Sequence, residues 1–317
     1  MFGFIKMLER LIAKLKSNKR LWFTSIFIVS VSGIALSIIV LISTTDRITH
    51  KVYLSQAKEF TLRYKDLEKH KEKKLHQLAI VASRDNSLID KIEKSDLDGL
   101  VKFETELNAK MLNQDKERLI FKFYTEQNKA EVLRPSIISS MQTKNNIFGA
   151  EVLPDGIFYI YLFPLLKEDK VIGLVEVRES IYTFQESFER LHQEYAFLLD
   201  NKMLPMLSLQ NRDGIYQDIG KNYLIHSKMY NNVTLGIVNS IDETSLLKVA
   251  NSDYIITKDS FLNGMIIRDI NGVEIGLVIM GQSLNQEGGF VNMSQKMTHQ
   301  VITIALGLIV SLLLFLF

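Results

Sequence analysis

The stretch IFYIYLFPLLKEDKVIGLVEV, residues 157–177, decides the fold. Its first run is aromatic and β-branched, Lys167-Glu168-Asp169-Lys170 makes a polar turn, and the second run is again β-branched. Two such runs joined by a short polar turn predict an antiparallel hairpin. Neighbouring runs enlarge it: RLIFKFYT (118–125), EVLRP (131–135) and FGAEVL (148–153), with turns at Gln127-Asn128 and Pro154-Asp155-Gly156. An antiparallel sheet of about five strands is expected. Strand alternation places Tyr159, Tyr161 and Phe163 on one face and Phe158, Ile160 and Leu162 on the other. The purely apolar set is expected to pack on the long helix that precedes the sheet, leaving the tyrosines to line a pocket.

Upstream, residues 45–82 hold no proline or glycine and are rich in Lys, Glu, Leu and Gln, which predicts one long helix. Tyr53, Ala57, Phe60, Tyr64, Leu67, Lys71, Leu75, Leu78 and Ala82 form a seam along it, interrupted only by Lys71. That seam needs a cover, either the strands or, over part of its length, a second copy of the chain. Shorter helices are expected at 86–92 and 96–112, the latter capped by Asp96. Downstream, a helix over 181–193 leads to strands near 196–199, 223–226, 234–238, 254–256, 265–270 and 274–280. Ile172-Gly173-Leu174-Val175 recurs as Ile275-Gly276-Leu277-Val278, each after a polar turn and an apolar strand, which points to an internal duplication.

The outermost stretches are apolar. LWFTSIFIVSVSGIALSIIVLI (21–42) carries no charge and is long enough to span a hydrocarbon core. Lys6, Arg10, Lys14, Lys16, Lys19 and Arg20 precede it against the single acid Glu9, so the N-terminus is expected to be cytoplasmic. The tail itself suits either a helix lying on anionic lipid or a plain basic flank. No small-residue cleavage site of a signal peptide is visible. VITIALGLIVSLLLFLF (301–317) reaches the lower edge of spanning length and ends without a cation, so a longer receptor with an output domain after Phe317 is expected. The expected organisation is a basic tail over 1–20, a first span over 21–43, a long helix over 44–85, a membrane-distal module over 86–180, a membrane-proximal module over 181–284, a linker over 285–299 and a second span over 300–317.

Composition narrows the function classes. The net charge is +2, and the basic tail accounts for it, leaving no clustered basic face for nucleic acid. The chain has no cysteine, which excludes disulfides, thiolate metal sites and cysteine nucleophiles. His50, His70, His76, His192, His226 and His299 never stand three or four apart, so no pair shares a helical face as metal ligands. Phosphate loops, G-x-S-x-G elbows and H-E-x-x-H helices are missing. No enzyme activity, cofactor or metal is expected.

Leu133-Arg134, Gly149-Ala150-Glu151 and Ile172-Gly173-Leu174-Val175-Glu176, within the run from Arg118 to Val177, resemble the distal module of double Cache sensor domains on bacterial kinases, cyclases and chemoreceptors. The family's Phe-His strand is Phe121-Lys122 here. The resemblance implies an α+β fold: a membrane-anchored double Cache with a long N-terminal helix, two PAS-like antiparallel-sheet modules and two transmembrane helices. It also implies a bacterial inner-membrane receptor with residues 44–299 in the periplasm, a homodimer, and a role in two-component signalling or chemotaxis. The candidate ligand-binding residues are Arg134, Tyr124, Tyr159, Tyr161, Glu151 and Glu176. Arg134 offers a planar fork for a carboxylate or phosphate, so a small anionic ligand is expected. The alternative for Arg134 is a salt bridge to Glu151 or Glu176, and the alternative for the chain is a bitopic scaffold docking another periplasmic protein.

Overall fold

A computed structural model of the chain describes residues 19–114, 119–125, 134–251, 253–284, 296–300, 302–307 and 310–311. Residues 1–18 of the basic tail, the turn at Gln127-Asn128, Leu133, most of the 285–299 linker and residues 301, 308–309 and 312–317 of the expected second span lie outside the described residues. Two compact units are present, one formed by Met1–Tyr53 with Phe290–Phe317 and the other by Leu54–Gly289.

Helix α1, Lys19–Ser83, is 65 residues long and supplies residues to both units. In the first unit Ile28, Val29, Leu36, Ile39 and Val40 are exposed, and the hydroxyls of Ser37 and Thr44 donate back to the carbonyls of Gly33 and Val40. Thr49 and Thr298 hydroxyls lie 3.5 Å apart. Among the described residues no helix is long and apolar enough to cross a membrane.

In the second unit α1 is followed by α2 (Asn86–Glu93) and α3 (Leu97–Gln114). Asp85 caps α2, and Asp96 caps α3 by accepting the Gly99 N–H at 2.9 Å. The first sheet comprises β1 (Leu119–Thr125), β2 (Ile147–Leu153), β3 (Gly156–Lys167) and β4 (Lys170–Ser180) in the antiparallel order β1-β4-β3-β2. The hairpin between β3 and β4 turns at Glu168 and Asp169, both at positive φ, which suits the right-handed twist of the strands. Among the described residues the sheet has four strands, where about five are expected. Arg134-Pro135, expected within a strand, instead opens helix α4 (Pro135–Thr143), where proline's fixed φ and missing N–H fit the first turn.

The expected helix over 181–193 is shorter: a 3₁₀ turn, Ile181–Thr183, runs into α5 (Phe184–Glu189), and the chain then leaves through His192 at positive φ. The second sheet contains β5 (Glu194–Asp200), β6 (Tyr216–Ile219), β7 (Tyr223–His226), β8 (Tyr254–Ile256), β9 (Ser260–Arg268) and β10 (Glu274–Ser283), in the order β6-β7-β5-β10-β9-β8. Short α6 (Leu209–Arg212), α7 (Asn232–Asn239) and α8 (Glu243–Ala250) connect them. Residues 234–238, expected as a strand, form most of α7, because Asn231 caps that helix through the Thr234 N–H at 2.8 Å.

The duplication suggested by four letters is visible in topology. The order β5-β10-β9-β8 repeats β1-β4-β3-β2, with β6 and β7 added beyond β5. The repeated motif falls on the central strands β4 and β10. A Cβ at Gly173 would stand 2.8 Å from the Tyr124 carbonyl oxygen, and one at Gly276 only 2.2 Å from that of Leu198, so each glycine lets its strand approach the neighbouring backbone.

Both sheets pack on the same seam of α1. Ala57, Phe60, Tyr64, Leu75 and Ala79 are buried there, and Phe60 meets Phe261 of the second sheet with ring centroids 6.1 Å apart. Lys71 does not interrupt the seam: it is buried and pairs with Glu179 of β4, while also donating to the Thr183 hydroxyl at 2.7 Å. The face of the first sheet that meets α1 is the tyrosine face, contrary to expectation. Tyr159 shares a 2.8 Å hydrogen bond with Tyr64 and donates to Glu68 at 2.9 Å, and the Tyr161 hydroxyl lies 2.7 Å from His76 Nδ1. Polar groups on α1 satisfy these hydroxyls, so a face with polar tips is buried at little cost. Phe158, Ile160 and Leu162 face the other way, in a cluster with Tyr124, Ile137, Met141, Leu153 and Leu174 beneath α4.

Candidate functional site

Four charged side chains converge within that second face. On β4, Glu176 and Arg178 are two residues apart and therefore point to the same side, away from α1. Glu176 is fully buried and Arg178 nearly so. Cross-strand neighbours bring Glu151 of β2 to the same layer as Phe158. Arg134, held at the extended N-cap position of α4, reaches down with its fork divided: Nη1 donates to Glu176 at 2.7 Å and Nη2 to Glu151 at 2.5 Å. Glu151 accepts a further bond from the buried Ser136 hydroxyl at 2.8 Å, and Tyr124 donates to Glu176 at 3.2 Å. Arg178 turns outward to Asp155 in the β2–β3 turn, giving it two bonds of 3.2 and 2.8 Å, with the Phe158 ring 4.8 Å beneath its guanidinium.

The electrostatics follow from this packing. Burial works to lower the Arg134 pKa, but the Glu176 and Glu151 carboxylates raise it more, so the guanidinium stays charged. Burial first, and Glu176 second, push the Tyr124 phenol far above its ordinary value, keeping it a neutral hydrogen-bond donor. Some bonding capacity is left over. Arg134 Nε, Arg178 Nε and Glu176 Oε1 are buried without a hydrogen-bond partner among the described residues, the latter two lying 3.7 Å apart, beyond hydrogen-bond range. Such atoms cost free energy unless something meets them.

Of the residues expected at a site, Arg134, Tyr124, Glu151 and Glu176 come together, whereas Tyr159 and Tyr161 lie on the opposite face against α1. Arg134 makes the salt bridges that stood as the alternative to ligand contact, and it makes both. Sequence reasoning missed Arg178, Ser136 and Asp155. The signal for Arg178 was its spacing of two from Glu176; Asp155 reads in sequence only as turn chemistry, and Ser136 as a helix residue. No site was expected in the second half, yet a cavity of about 730 Å³ lies there, lined by Glu194, Asn232, Ile237, Asp242, Lys258 and Ser260 among others. Its walls come from separate elements and form no motif. Among the described residues no group of three or more acids and histidines could hold a metal ion.

No protein-family model matches the chain, and no curated protein matches it. Solved structures similar to it are sensor domains of bacterial receptors. One is a domain of a sensory box/GGDEF family protein from Vibrio parahaemolyticus, at 12% identity, 77% of this chain, 100% of that chain and TM-score 0.39. Another is the sensor domain of a V. cholerae histidine kinase, at 9% identity, 76% of this chain, 97% of that chain and TM-score 0.36. A third is the ligand-binding domain of a Campylobacter jejuni chemoreceptor in complex with L-valine, at 12% identity, 82% of this chain, 97% of that chain and TM-score 0.34. The architecture is defined by the strand order and register given above.

Proposed function

We propose that this chain is the sensing region of a bacterial membrane receptor, whose first sheet takes a small ligand with an anionic group beneath α4. The observation that carries this reading is the buried cluster of Arg134, Arg178, Glu151 and Glu176, in which two guanidinium N–H groups and one carboxylate oxygen have bonding capacity to spare. A purely structural core of this size gains nothing from mixed buried charge, since replacing such pairs by apolar residues is often neutral or stabilising. A ligand with an anionic group would supply the missing acceptors, and Tyr124 and Ser136 would help to orient it.

Membrane anchoring belongs to the same reading. The exposed aliphatic side chains between Ile28 and Val40, the hydroxyls turned back onto their own helix and the charge-free sequence 21–42 support a first span with a cytoplasmic N-terminus. Residues 44–299 then lie outside the cytosol, the receptor pairs as a homodimer, and a cytoplasmic output domain receives the signal. No chemistry is needed: a shift in the positions of the helices, biased by differential ligand affinity of about 1–3 kcal/mol, suffices.

Thermal unfolding of the full chain in detergent, screened against small carboxylates, phosphates and amino acids, tests this. A ligand at one hundred times its dissociation constant should stabilise the fold by about 2.7 kcal/mol. A flat response across the screen, together with a stoichiometric periplasmic protein that co-purifies, would favour a docking scaffold instead.

A further inference from the structure

Arg178 differs from the rest of the cluster in where its counter-charge comes from. Glu151 and Glu176 sit on strands, but the carboxylate that fills the Arg178 fork belongs to Asp155, on the two-residue turn between β2 and β3. The Arg178 side chain is 6% exposed and that of Asp155 48%. A buried guanidinium is thus neutralised from outside by a residue that water can reach. The same turn touches the second half of the unit: the Pro154 carbonyl accepts the Ser208 N–H at 2.9 Å and the Asn211 side-chain amide at 3.0 Å.

We propose that Asp155 is a built-in stand-in for the ligand's carboxylate. In the ligand-free chain it occupies Arg178; a bound carboxylate displaces it, and the released turn loosens the Pro154 contacts to Ser208 and Asn211, which reports occupancy to the segment that follows β5. This rests on the ligand reading of the cluster. Exchanging one carboxylate for another on the same planar fork conserves the paired charge-assisted bonds, so the ligand's remaining contacts decide the exchange. Without the stand-in, the fork of ligand-free Arg178 would have no hydrogen-bond acceptor, Glu176 Oε1 lying 3.7 Å from its Nε. Its solvent exposure keeps Asp155 a weak competitor.

Chemical rescue tests the proposal on the full chain in detergent. Asp155→Ala should unfold at a lower temperature than wild type, and acetate should restore the midpoint in a dose-dependent way that chloride at equal ionic strength does not, with a smaller effect on wild type. Asp155→Asn, which keeps a good turn residue, should behave likewise and bind succinate about fivefold tighter, the factor equivalent to about 1 kcal/mol for an exposed pair. Amide exchange over residues 208–212 should be faster in both variants than in wild type. Acetate acting equally on wild type and variants, or on neither, would overturn the proposal, as would unchanged exchange at 208–212. If the compound selected by screening stabilises the chain through Arg178 while acetate rescues nothing, Asp155 loses its role and the ligand site stands.

Discussion

Glu176 shows how much one side chain carries in this molecule. It is fully buried, its Oε2 holds both Arg134 and Tyr124, and its Oε1 faces Arg178 without a hydrogen bond. Glu176→Gln replaces the buried charged acceptor of Arg134 and Tyr124 by a neutral amide, leaving Glu151 alone to pair with Arg134 and Asp155 alone to pair with Arg178, so a loss of about 3 kcal/mol in chemical unfolding is expected. A loss below about 0.5 kcal/mol would mean that water already reaches the cluster. Glu68 presents the reverse case. Burial raises its pKa above the ordinary 4.5, outweighing the Tyr159 hydrogen bond that favours the anion. The folded state therefore binds the proton more tightly than the unfolded state does, and stability is lost as pH climbs from 4.5 through the raised value. Glu68→Gln, which still accepts from Tyr159, should raise the unfolding midpoint at neutral pH and flatten its dependence across that window.

At the scale of elements, the central strands depend on Gly173 and Gly276. Alanine at either position drives a methyl into the carbonyl of the adjacent strand, and each substitution should cost about 1–3 kcal/mol, measured by denaturant unfolding. Sequence made these strands legible because the hairpin signals were local: alternation, a polar turn and a repeated tetrapeptide. It failed where the deciding interaction was not local. The apolar run at 234–238 has no clear period; Asn231 caps it as a helix, and Thr234 and Val238 are buried on it. Arg134 opens α4 through the proline that follows it. The two faces of β3 could be sorted by alternation, but which of them meets α1 depended on Glu68 and His76 waiting on that helix for the tyrosine hydroxyls. Hence four of the six expected site residues share one site and the two tyrosines do not.

For the whole molecule, α1 is the element that both sheets hold, and polar contacts fix its register. Lys71 pairs with Glu179 at the end of β4, and Asn263 of β9 donates to the Ala57 carbonyl at 2.9 Å. Asn263→Ala removes the second of these and leaves the first sheet untouched. It should lower stability by about 1–2 kcal/mol while ligand affinity at the first sheet stays unchanged, as calorimetric titration can establish. The two sheets repeat one topology, yet among the described residues the Arg134–Arg178 cluster belongs to the first, which is why the proposed recognition is placed there. The most direct measurement is therefore the rise in unfolding midpoint produced by the most stabilising compound of the screen, taken side by side in wild type, Arg178→Lys, Glu176→Gln and the second-sheet control Glu194→Gln. Loss of the rise in the two first-sheet variants with full retention in Glu194→Gln is the expected result; a rise preserved in Arg178→Lys and Glu176→Gln would contradict a ligand site beneath α4.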